Sequence, residues 1–409
     1  MVEPLTLLPT VVLALSVAAT PVLVRDNIVS LPISRRFNFT GTGSVIQNDI
    51  ARIQAVKGRT AAKKGLASRA VISEPVDNQV VTYIASVGVG SPATTYSLIV
   101  DTGSSNTWVG ADQAYVVTST STKTTQSVSV SYGSGSFSGT DYTDQVTLAT
   151  GLVIPKQSIG VASTSSGFSG VDGILGIGPV DLTEGTLTKS TSTLIPTVTD
   201  NLFTQGTITS EVIGISFEPT TTEDDVNGSL AFGGTDSTKF TGSIAYTSIT
   251  STTPAGDYWG INQAITYGTT SILASTAGIV DTGTTLIYIA TNGFTKYKAA
   301  TGGVADSATG LLRITTTQFA ALQNLNFVIG GVTYALTPNA QIWPRSLNTA
   351  IGGTASRIYL VVADWGSNSG AGLDFINGYT FLERFYSVFD TTNKRIGFAT
   401  TPFTTATTN

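Results

Sequence analysis

The sequence predicts an all-β protein built from two related halves, and three observations lead to this prediction. Short runs rich in Val, Ile, Thr, Tyr and Phe alternate with Gly, Pro, Asn and Asp, a pattern typical of strands and turns. The chain has 409 residues, enough for two lobes. An acidic turn occurs twice, as Asp101-Thr102-Gly103 and Asp281-Thr282-Gly283. We therefore expect each half to bring one Asp to a shared site.

The N-terminus has the features of a secretory signal peptide over residues 1–19. Residues 7–19 are largely apolar and end in Ala18 and Ala19, and Pro21 and a polar, basic segment follow. No Lys or Arg precedes the apolar run, and a buried N-terminal strand is the alternative interpretation. Beyond it, no apolar run is long enough to span a bilayer. The sequence predicts a secreted, extracellular protein without a membrane partner.

Residues 20–69 are predicted to form a basic pro-segment. They carry nine Lys/Arg and two Asp, a net charge of about +7, whereas residues 70–409 carry 12 Lys/Arg and 23 Asp/Glu, about −11. A basic arm can bind nucleic acid, but the acidic body would repel phosphate, so we expect no nucleic-acid partner. Helix formers and basic residues favour a helix from residue 49 to 70. A maturation cut is expected after Arg69, within several residues.

The sequence of residues 70–409 predicts mainly strands and few helices. From residue 79 onward the pattern is one of short β runs, and examples are residues 80–89, 96–100, 127–132, 212–217, 229–232, 386–390 and 395–399. The expected short helices are 196–205 and 293–300. The repeated turn divides the body near residue 245, which gives an N-terminal lobe over 70–245 and a C-terminal lobe over 246–409.

Composition narrows the chemistry to carboxylates. There is no His and no Cys, which excludes Ser-His-Asp and Cys-His catalysis and zinc sites built on those residues. Two carboxylates about 3 Å apart cannot both ionise, so they share a proton and can supply one base and one acid. Such a pair can activate water without help. We therefore expect no metal and no organic cofactor.

The motifs around the two turns resemble those of pepsin-like aspartic peptidases, and in detail those of secreted basidiomycete members. The resemblance spans nearly all of residues 78–400. It rests on Asp101-Thr102-Gly103-Ser104-Ser105-Asn106-Thr107-Trp108, Tyr132-Gly133-Ser134-Gly135-Ser136, Gly173-Ile174-Leu175-Gly176, Phe375-Ile376-Asn377-Gly378 and the second Asp-Thr-Gly turn. It implies a bilobal fold with the active-site cleft between two homologous β-rich lobes. It also implies acid endopeptidase activity on polypeptides and sensitivity to pepstatin-like inhibitors.

Roles follow from the resemblance position by position. Asp101 and Asp281 would hold the nucleophilic water, with Thr102, Ser104, Thr282 and Thr284 in support. Gly103 and Gly283 would contact substrate, and Thr285 would hydrogen-bond its backbone. Tyr132, Gly133 and Ser134 would form a flap that closes over the cleft. Trp108 would hydrogen-bond the tyrosine hydroxyl in one flap state, and Ile99 and Phe137 would line apolar pockets.

Two positions depart from the family pattern. Members that cleave after Lys often have Asp on the flap, where this chain has Ser134. We therefore expect a preference for bulky apolar residues at the scissile bond. Several relatives have Asp after the glycine matching Gly378, where this chain has Tyr379. That difference is expected to raise the working pH slightly.

Related zymogens use a lysine to block the two aspartates, and Lys63 or Lys64 is the candidate here. Acid would weaken the attraction between the −11 body and the +7 segment. The second glycosylation pattern, Asn227-Gly228-Ser229, leaves a glycan at Asn227 open. A monomer is expected, because both halves lie in one chain.

Two other function classes compete with a protease. A catalytically silent pepsin-like binding or inhibitor protein would have the same fold, but such proteins usually lose an Asp or the flap tyrosine. A carbohydrate-binding or structural β protein would tolerate the Ser/Thr-rich surface. Asp101, Asp281 and Tyr132 are all present, which favours the peptidase.

Overall fold

The computed structural model describes residues 28–36, 45–63, 82–132, 135–222 and 225–409, with side chains of the helix at 45–63 described through Gly58. The predicted signal peptide (1–19), the cut after Arg69, Lys64 and the flap residues Gly133 and Ser134 lie outside the described residues.

The first half of the chain contributes eleven strands and two helices among the described residues. They are β1 (Val29–Arg36), α1 (Val45–Lys63), β2 (Thr82–Val89), β3 (Thr94–Asp101), β4 (Trp108–Val109), β5 (Thr122–Ser131), β6 (Ser136–Ala149), β7 (Leu152–Ser166), β8 (Gly173–Gly176), α2 (Val198–Thr204), β9 (Val212–Phe217), β10 (Asp225–Phe232) and β11 (Thr241–Ser248).

The second half contributes twelve strands and three helices among the described residues. They are β12 (Gly260–Tyr267), β13 (Thr270–Val280), β14 (Ile287–Ile289), α3 (Thr291–Thr301), β15 (Val304–Ala305), β16 (Leu312–Ile314), α4 (Thr316–Ala320), β17 (Leu325–Ile329), β18 (Val332–Leu336), β19 (Ile358–Leu360), β20 (Val362–Asp364), β21 (Phe375–Asn377), α5 (Tyr379–Leu382), β22 (Phe385–Asp390) and β23 (Arg395–Thr400).

The prediction of an all-β, bilobal architecture is confirmed. A 13-stranded sheet has the order β11-β23-β22-β9-β10-β1-β2-β3-β8-β4-β7-β6-β5, and β2 also pairs with β6. A 7-stranded sheet has the order β18-β17-β12-β13-β21-β14-β20, and β15-β16-β19 form a third sheet. Because β22 and β23 join the large sheet, strands from both ends of the chain meet in one layer.

Local sequence explains the few helices. At the start of α2, Thr197 accepts a hydrogen bond from the Asp200 backbone, and the Asp200 carboxylate accepts one from the Thr197 backbone in return. This capping box ties down two otherwise unpaired N–H groups. Helix α3 ends at Gly302, whose φ of 68° is left-handed and suits glycine. The expected helices at 196–205 and 293–300 are therefore present with slightly different ends.

The segment before residue 70 is integrated into the body. Strand β1 pairs antiparallel with β10 on one side and with β2 on the other. Helix α1 begins at Val45, earlier than expected, and contributes Val45, Ile53 and Val56 to the main hydrophobic core. Burial of these side chains holds the helix against the lobes. No helix in the described ranges is long and apolar enough to cross a membrane.

The two lobes place the acidic turns in matching frames. Strand β3 ends at Asp101 and pairs parallel with β8, which β4 joins antiparallel. Strand β13 ends at Val280 and pairs parallel with β21, which β14 joins antiparallel. Each acidic turn therefore lies at the end of a buried strand. In both lobes that strand pairs parallel with a second strand, and the second strand pairs antiparallel with a third.

Candidate active site

The carboxylates of Asp101 and Asp281 meet between the lobes with equivalent partners. Both residues are 0% exposed. In each, Oδ1 accepts a hydrogen bond from the glycine two residues later, Gly103 N at 2.9 Å and Gly283 N at 3.0 Å. Each Oδ2 accepts from a hydroxyl, Ser104 Oγ at 2.5 Å or Thr284 Oγ1 at 2.6 Å. The paired turns thus hold two carboxylates in matching orientations.

The glycines in the turns allow the close approach of charged groups. A Cβ added at Gly103 would lie 2.6 Å from Asp281 Oδ1, and one at Gly283 would lie 2.7 Å from Asp101 Oδ1. Contacts this short force a shift. Only glycine therefore lets each turn approach the carboxylate of the other lobe.

The threonines of the two turns connect the lobes reciprocally. Thr102 N donates to Thr282 Oγ1 and Thr282 N donates to Thr102 Oγ1, both at 3.0 Å. The same hydroxyls donate to main-chain oxygens across the interface, Thr102 to Val280 at 3.3 Å and Thr282 to Val100 at 3.0 Å. These four bonds set the distance and orientation of the two aspartates.

A cation from α1 occupies the space between the carboxylates. Arg52 Nη2 lies 2.5 Å from Asp101 Oδ1 and 2.9 Å from Asp281 Oδ1, and Arg52 Nε lies 2.7 Å from Asp281 Oδ2. The guanidinium thus makes a forked contact with one carboxylate and bridges to the other, which a planar group with several donors is suited to do.

The buried ion pairs set the protonation of the site. Burial alone would raise the pKa of Asp101, but the charge of Arg52 and the bonds from Ser104, Arg52 and Gly103 lower it below its usual value. Burial acts to lower the pKa of Arg52, and the two aspartates raise it instead. Arg52 therefore stays charged, and Asp101 stays ionised beside it.

The expectation that Lys63 or Lys64 blocks the aspartates is wrong, because Arg52 holds that position. Lys63 ends α1 eleven residues after Arg52, so the helical rise places it about 16 Å further along the axis. A lysine side chain cannot cover that distance. The helix reaches the aspartates three turns earlier than the sequence analysis assumed.

A second charged residue of α1 contacts the turn after Asp281. The Asp49 carboxylate accepts from Thr285 N at 3.1 Å and from Leu286 N at 3.0 Å. Thr285 was expected to bind the substrate backbone, and here its N–H binds the segment before residue 70. Asp49 and Arg52 are three apart, the spacing that places them on one helix face. That spacing was the available signal for this pair, and the sequence analysis missed it.

The described flap tyrosine packs into an aromatic cluster. Tyr132 is 4% exposed, and its ring stacks 6.3 Å from Trp108 and 6.5 Å from Phe137. Trp108 Nε1 has no hydrogen-bond partner within the described ranges, so the expected Trp108–Tyr132 bond is not formed in this state. Phe137 and Ile99 belong to the same buried cluster. It lies beside the strand that ends at Asp101.

A second buried ion pair ties β1 to the C-terminal lobe. Arg35 Nη1 lies 3.2 Å from Glu383 Oε1 and donates to Thr220 O at 3.1 Å. Tyr83 donates to the same Glu383 oxygen at 3.1 Å. Tyr379, which follows Gly378 where several relatives have Asp, is buried. Its ring lies 5.5 Å from the Arg35 guanidinium. Sequence reasoning missed this pair, since its members are 348 residues apart.

Asn227, the residue at which the sequence leaves a glycan open, is buried in the folded structure. Asn227 is 7% exposed, and its Nδ2 donates to Glu218 O at 2.5 Å. A glycan needs that nitrogen and a path to solvent. In the folded structure this nitrogen is hydrogen-bonded and the side chain is buried, which disfavours a glycan there.

Comparison with known proteins identifies the family. The family model described as eukaryotic aspartyl protease matches residues 82–401. The chain is similar to polyporopepsin from Irpex lacteus, with 71% identity over 338 residues, 82% of this chain and 99% of that protein. It is also similar to gastricsin from Cavia porcellus, with 29% identity over 81% of this chain and 83% of that protein.

A solved structure agrees with the fold. The crystal structure of an aspartic proteinase from Irpex lacteus aligns with a TM-score of 0.81 and 62% identity, over 93% of this chain and 100% of that chain. The two Asp-Thr-Gly turns and the bilobal β fold thus occur in a chain matched by the family model over most of its length. The chain belongs to the eukaryotic aspartyl protease family and is a pepsin-like aspartic endopeptidase.

Proposed function

We propose that this chain is made as a secreted zymogen and that Asp101 and Asp281 hydrolyse peptide bonds at acidic pH. The observation that carries the proposal is the pair of fully buried carboxylates with matching donors, both facing one cation. Nothing else among the described residues places two acidic side chains in such equivalent environments across the lobe interface.

The chemistry requires Arg52 to leave. Once the guanidinium is gone, two adjacent carboxylates cannot both stay ionised, so the pair takes up one proton. The ionised member then removes a proton from a water molecule as the water oxygen attacks the peptide carbonyl carbon. The protonated member donates to the carbonyl oxygen, and a later proton transfer to nitrogen lets the C–N bond break.

The segment before residue 70 supplies the inhibition in this proposal. Arg52 blocks the carboxylates, Asp49 covers the turn after Asp281, and Arg35 anchors β1. The match to polyporopepsin covers 99% of that protein but only 82% of this chain, and the family model begins at residue 82. Both facts support a segment that is additional to the peptidase body.

The substrate preference follows from the cluster near Asp101. Ile99, Trp108, Tyr132 and Phe137 are apolar or aromatic and belong to one cluster. We propose that it accepts bulky hydrophobic residues at the scissile bond. The extracellular location rests on residues 1–19, and the monomer on the presence of both lobes in one chain.

The test is hydrolysis of denatured casein by acid-treated protein between about pH 2.5 and 6, which brackets ordinary carboxylate pKa values. We expect pepstatin-sensitive cleavage that falls by at least about 10³-fold in Asp101→Asn and in Asp281→Asn, because each removes one proton-transfer group. Asp181→Asn is the matched control, since Asp181 is exposed. Absence of cleavage after verified removal of residues 20–69 would favour a silent binding protein.

A further inference from the structure

A buried pair of side-chain amides lies next to the second acidic turn. Gln263 Nε2 donates to Asn377 Oδ1 at 3.1 Å, and Asn377 Nδ2 donates to Gln263 Oε1 at 2.8 Å. Both residues are 0% exposed, and all four polar atoms of their side chains are paired. We call these two residues the amide clasp. Buried polar groups of this kind favour one arrangement of their elements, because another arrangement would leave them unpaired.

The amide clasp joins the two strands on either side of β13, the strand that leads into the second acidic turn. Gln263 lies on β12 opposite Thr276. Asn377 lies on β21 opposite Val280. Side chains alternate between the two faces of a strand, so both amides share a face with Gly278, midway between Thr276 and Val280. Because Gly278 has no side chain, it leaves room for the amides to meet across β13.

The main chain of Asn377 supports the second acidic turn directly. Its carbonyl oxygen accepts a hydrogen bond from Asp281 N at 3.1 Å. In the sheet, Asn377 pairs with Val280 just before the turn and with Ile287 just after it. Asn377 therefore lies between the chain that enters the turn and the chain that leaves it, so a shift of β21 would move Asp281.

The corresponding positions of the N-terminal lobe are apolar. The two acidic turns are 180 positions apart in the chain, so Leu98 is the counterpart of the glycine in β13. The strand register makes Val87 the counterpart of Gln263 and Leu175 the counterpart of Asn377. Val87, Leu98 and Leu175 are all 0% exposed. The two lobes therefore support equivalent turns with different chemistry.

Apolar packing and a hydrogen-bonded amide pair constrain a strand differently. Packing is non-directional, so it tolerates small movements of one strand past another. The reciprocal bonds of the clasp require both donors and both acceptors to be in line. They therefore define the position of β21 relative to β12, and β13 is held between these two strands.

We propose that Gln263 and Asn377 are positioning residues for Asp281, because their reciprocal amide pair fixes β12 and β21 around the strand that carries the second acidic turn. The two side chains bond to each other and not to the turn, so they act through the main chain of Asn377. This role rests on the proposed function, in which Asp281 is one of the two proton-transfer groups. Loss of the clasp should therefore lower kcat and leave KM nearly unchanged.

The experiment measures kcat and KM of acid-activated enzyme at pH 3 on a peptide with an apolar scissile pair, with active sites counted by pepstatin titration. The double variant Gln263→Leu with Asn377→Leu gives the clasp the apolar character of the N-terminal lobe. It leaves neither amide unpaired, so the fold should be retained. We expect kcat per active site to fall at least about tenfold, since small misplacements of a reacting group are costly, with KM within about twofold of wild type.

Gln263→Glu tests whether the hydrogen bonds themselves carry the effect. At pH 3 the introduced carboxyl is neutral, because burial disfavours its charged form. A neutral carboxyl offers one donor and one acceptor to Asn377, so kcat should stay within about threefold of wild type.

A second Gln–Asn pair provides a matched control. Asn201 Nδ2 donates to Gln157 Oε1 at 2.8 Å and joins α2 to β7, which contain neither acidic turn. Gln157 Nε2 also donates to Pro196 O at 2.9 Å. Gln157→Leu with Asn201→Leu should therefore lower the thermal midpoint but keep kcat per active site at the wild-type value.

Wild-type kcat in the double Leu variant of the clasp would overturn the positioning role and leave the peptidase mechanism intact. A loss of kcat in Gln263→Glu as large as in that variant would also overturn it, because the hydrogen bonds would then not be the cause. If the double variant does not fold, Gln263→Met replaces it with the same expectations. Failure of the wild type to cleave, or unchanged cleavage by Asp281→Asn, would instead overturn the proposed function.

Discussion

At the scale of single residues, small donors hold the two aspartates in matching orientations. The Ser104 hydroxyl and the Gly103 N–H bind different oxygens of Asp101, and both act to lower its pKa. The Thr284 hydroxyl and the Gly283 N–H donate to the two oxygens of Asp281 in the same arrangement. The protonation of Asp101 therefore depends on neighbouring small donors as well as on the charge of Arg52.

The first residue-scale prediction concerns Ser104→Ala. Loss of a hydrogen bond to a charged group removes about 1.5–3 kcal/mol, so the pKa of Asp101 should rise by about one pH unit or more. The acid limb of the kcat/KM profile should move up by the same amount. Ser105→Ala is the matched control, since Ser105 Oγ donates to Pro179 O instead. Equal profiles for both variants would contradict the role of Ser104.

At the scale of elements, helix α1 and strand β1 connect the segment before residue 70 to the body by charge as well as by packing. Arg52 lies on α1 between the aspartates, and Arg35 lies on β1 beside Glu383. Both arginines are buried. Among the described residues, these two arginines therefore contribute buried ion pairs to the net attraction expected between the basic segment and the acidic body.

In the proposed zymogen, removal of the α1 cation should activate the enzyme. Arg52→Gln loses charge-assisted bonds worth about 1.5–3 kcal/mol each, so self-cleavage at pH 5, followed on denaturing gels, should be at least about tenfold faster. The pKa of Asp101 is lowered while Arg52 is docked, so docking of α1 is stabilised at pH values above that pKa. Release of α1 from the wild type should therefore require stronger acid than release from the variant. Lys57→Gln is the control, since Lys57 Nζ donates to Trp365 O instead. Unchanged self-cleavage in Arg52→Gln would count against inhibition by Arg52.

Removal of the β1 cation should make the full-length chain unstable in a pH-dependent way. Arg35→Gln leaves a buried carboxylate at Glu383, a loss of about 3–5 kcal/mol. Burial already raises the pKa of Glu383, and Arg35 opposes the rise. Without Arg35 the folded-state pKa rises further, so stability is retained at low pH and lost as pH rises through that value. The thermal midpoint should fall more at pH 7 than at pH 4.

Two comparisons separate this effect from simple loss of packing. Lys239→Gln breaks a partly exposed pair with Glu218, which is worth at most about 1 kcal/mol. The double variant Arg35→Gln with Glu383→Gln should recover much of the loss at pH 7, because no charge is left buried. An equal fall at both pH values would argue against ionised Glu383 as the cause.

At the scale of the whole molecule, the reciprocal threonine bonds join the lobes at the active site. Each hydroxyl accepts an N–H from the other turn and donates to a carbonyl of the other lobe. Trp259 adds a further link across the halves, since its Nε1 donates to Ile177 O at 3.2 Å. The two lobes therefore share one hydrogen-bonded centre in addition to the common sheet.

Breaking this centre should weaken the whole fold. Thr282→Val keeps the shape but leaves a buried N–H of Thr102 and a carbonyl of Val100 unpaired, at a cost of about 2–4 kcal/mol. The urea midpoint should fall accordingly, and activity should fall with it because the carboxylates lose their alignment. Thr282→Ser retains the hydroxyl and should stay near wild type. Equal midpoints for the two variants would exclude a role for these bonds.

Much of the architecture could be predicted because it depends on local patterns. Strand β9 matches the predicted bounds, and β22 and β23 differ by one residue at an end. Strands β14 to β16 and β19 to β21 have only two or three residues each, and runs this short carry little periodic signal in a sequence. The path of β1 also escaped prediction, because its partners are distant in the chain.

The sequence by itself determined the all-β class, the two aspartates and their supporting hydroxyls, since each is encoded in a few adjacent residues and repeated once. Only the tertiary structure decided that Arg52 rather than a lysine enters the site, that Asp49 binds the turn after Asp281, and that Arg35 pairs with Glu383. These contacts depend on where α1 and β1 dock. Docking is decided by burial and charge between segments separated by up to hundreds of residues, which no local pattern records.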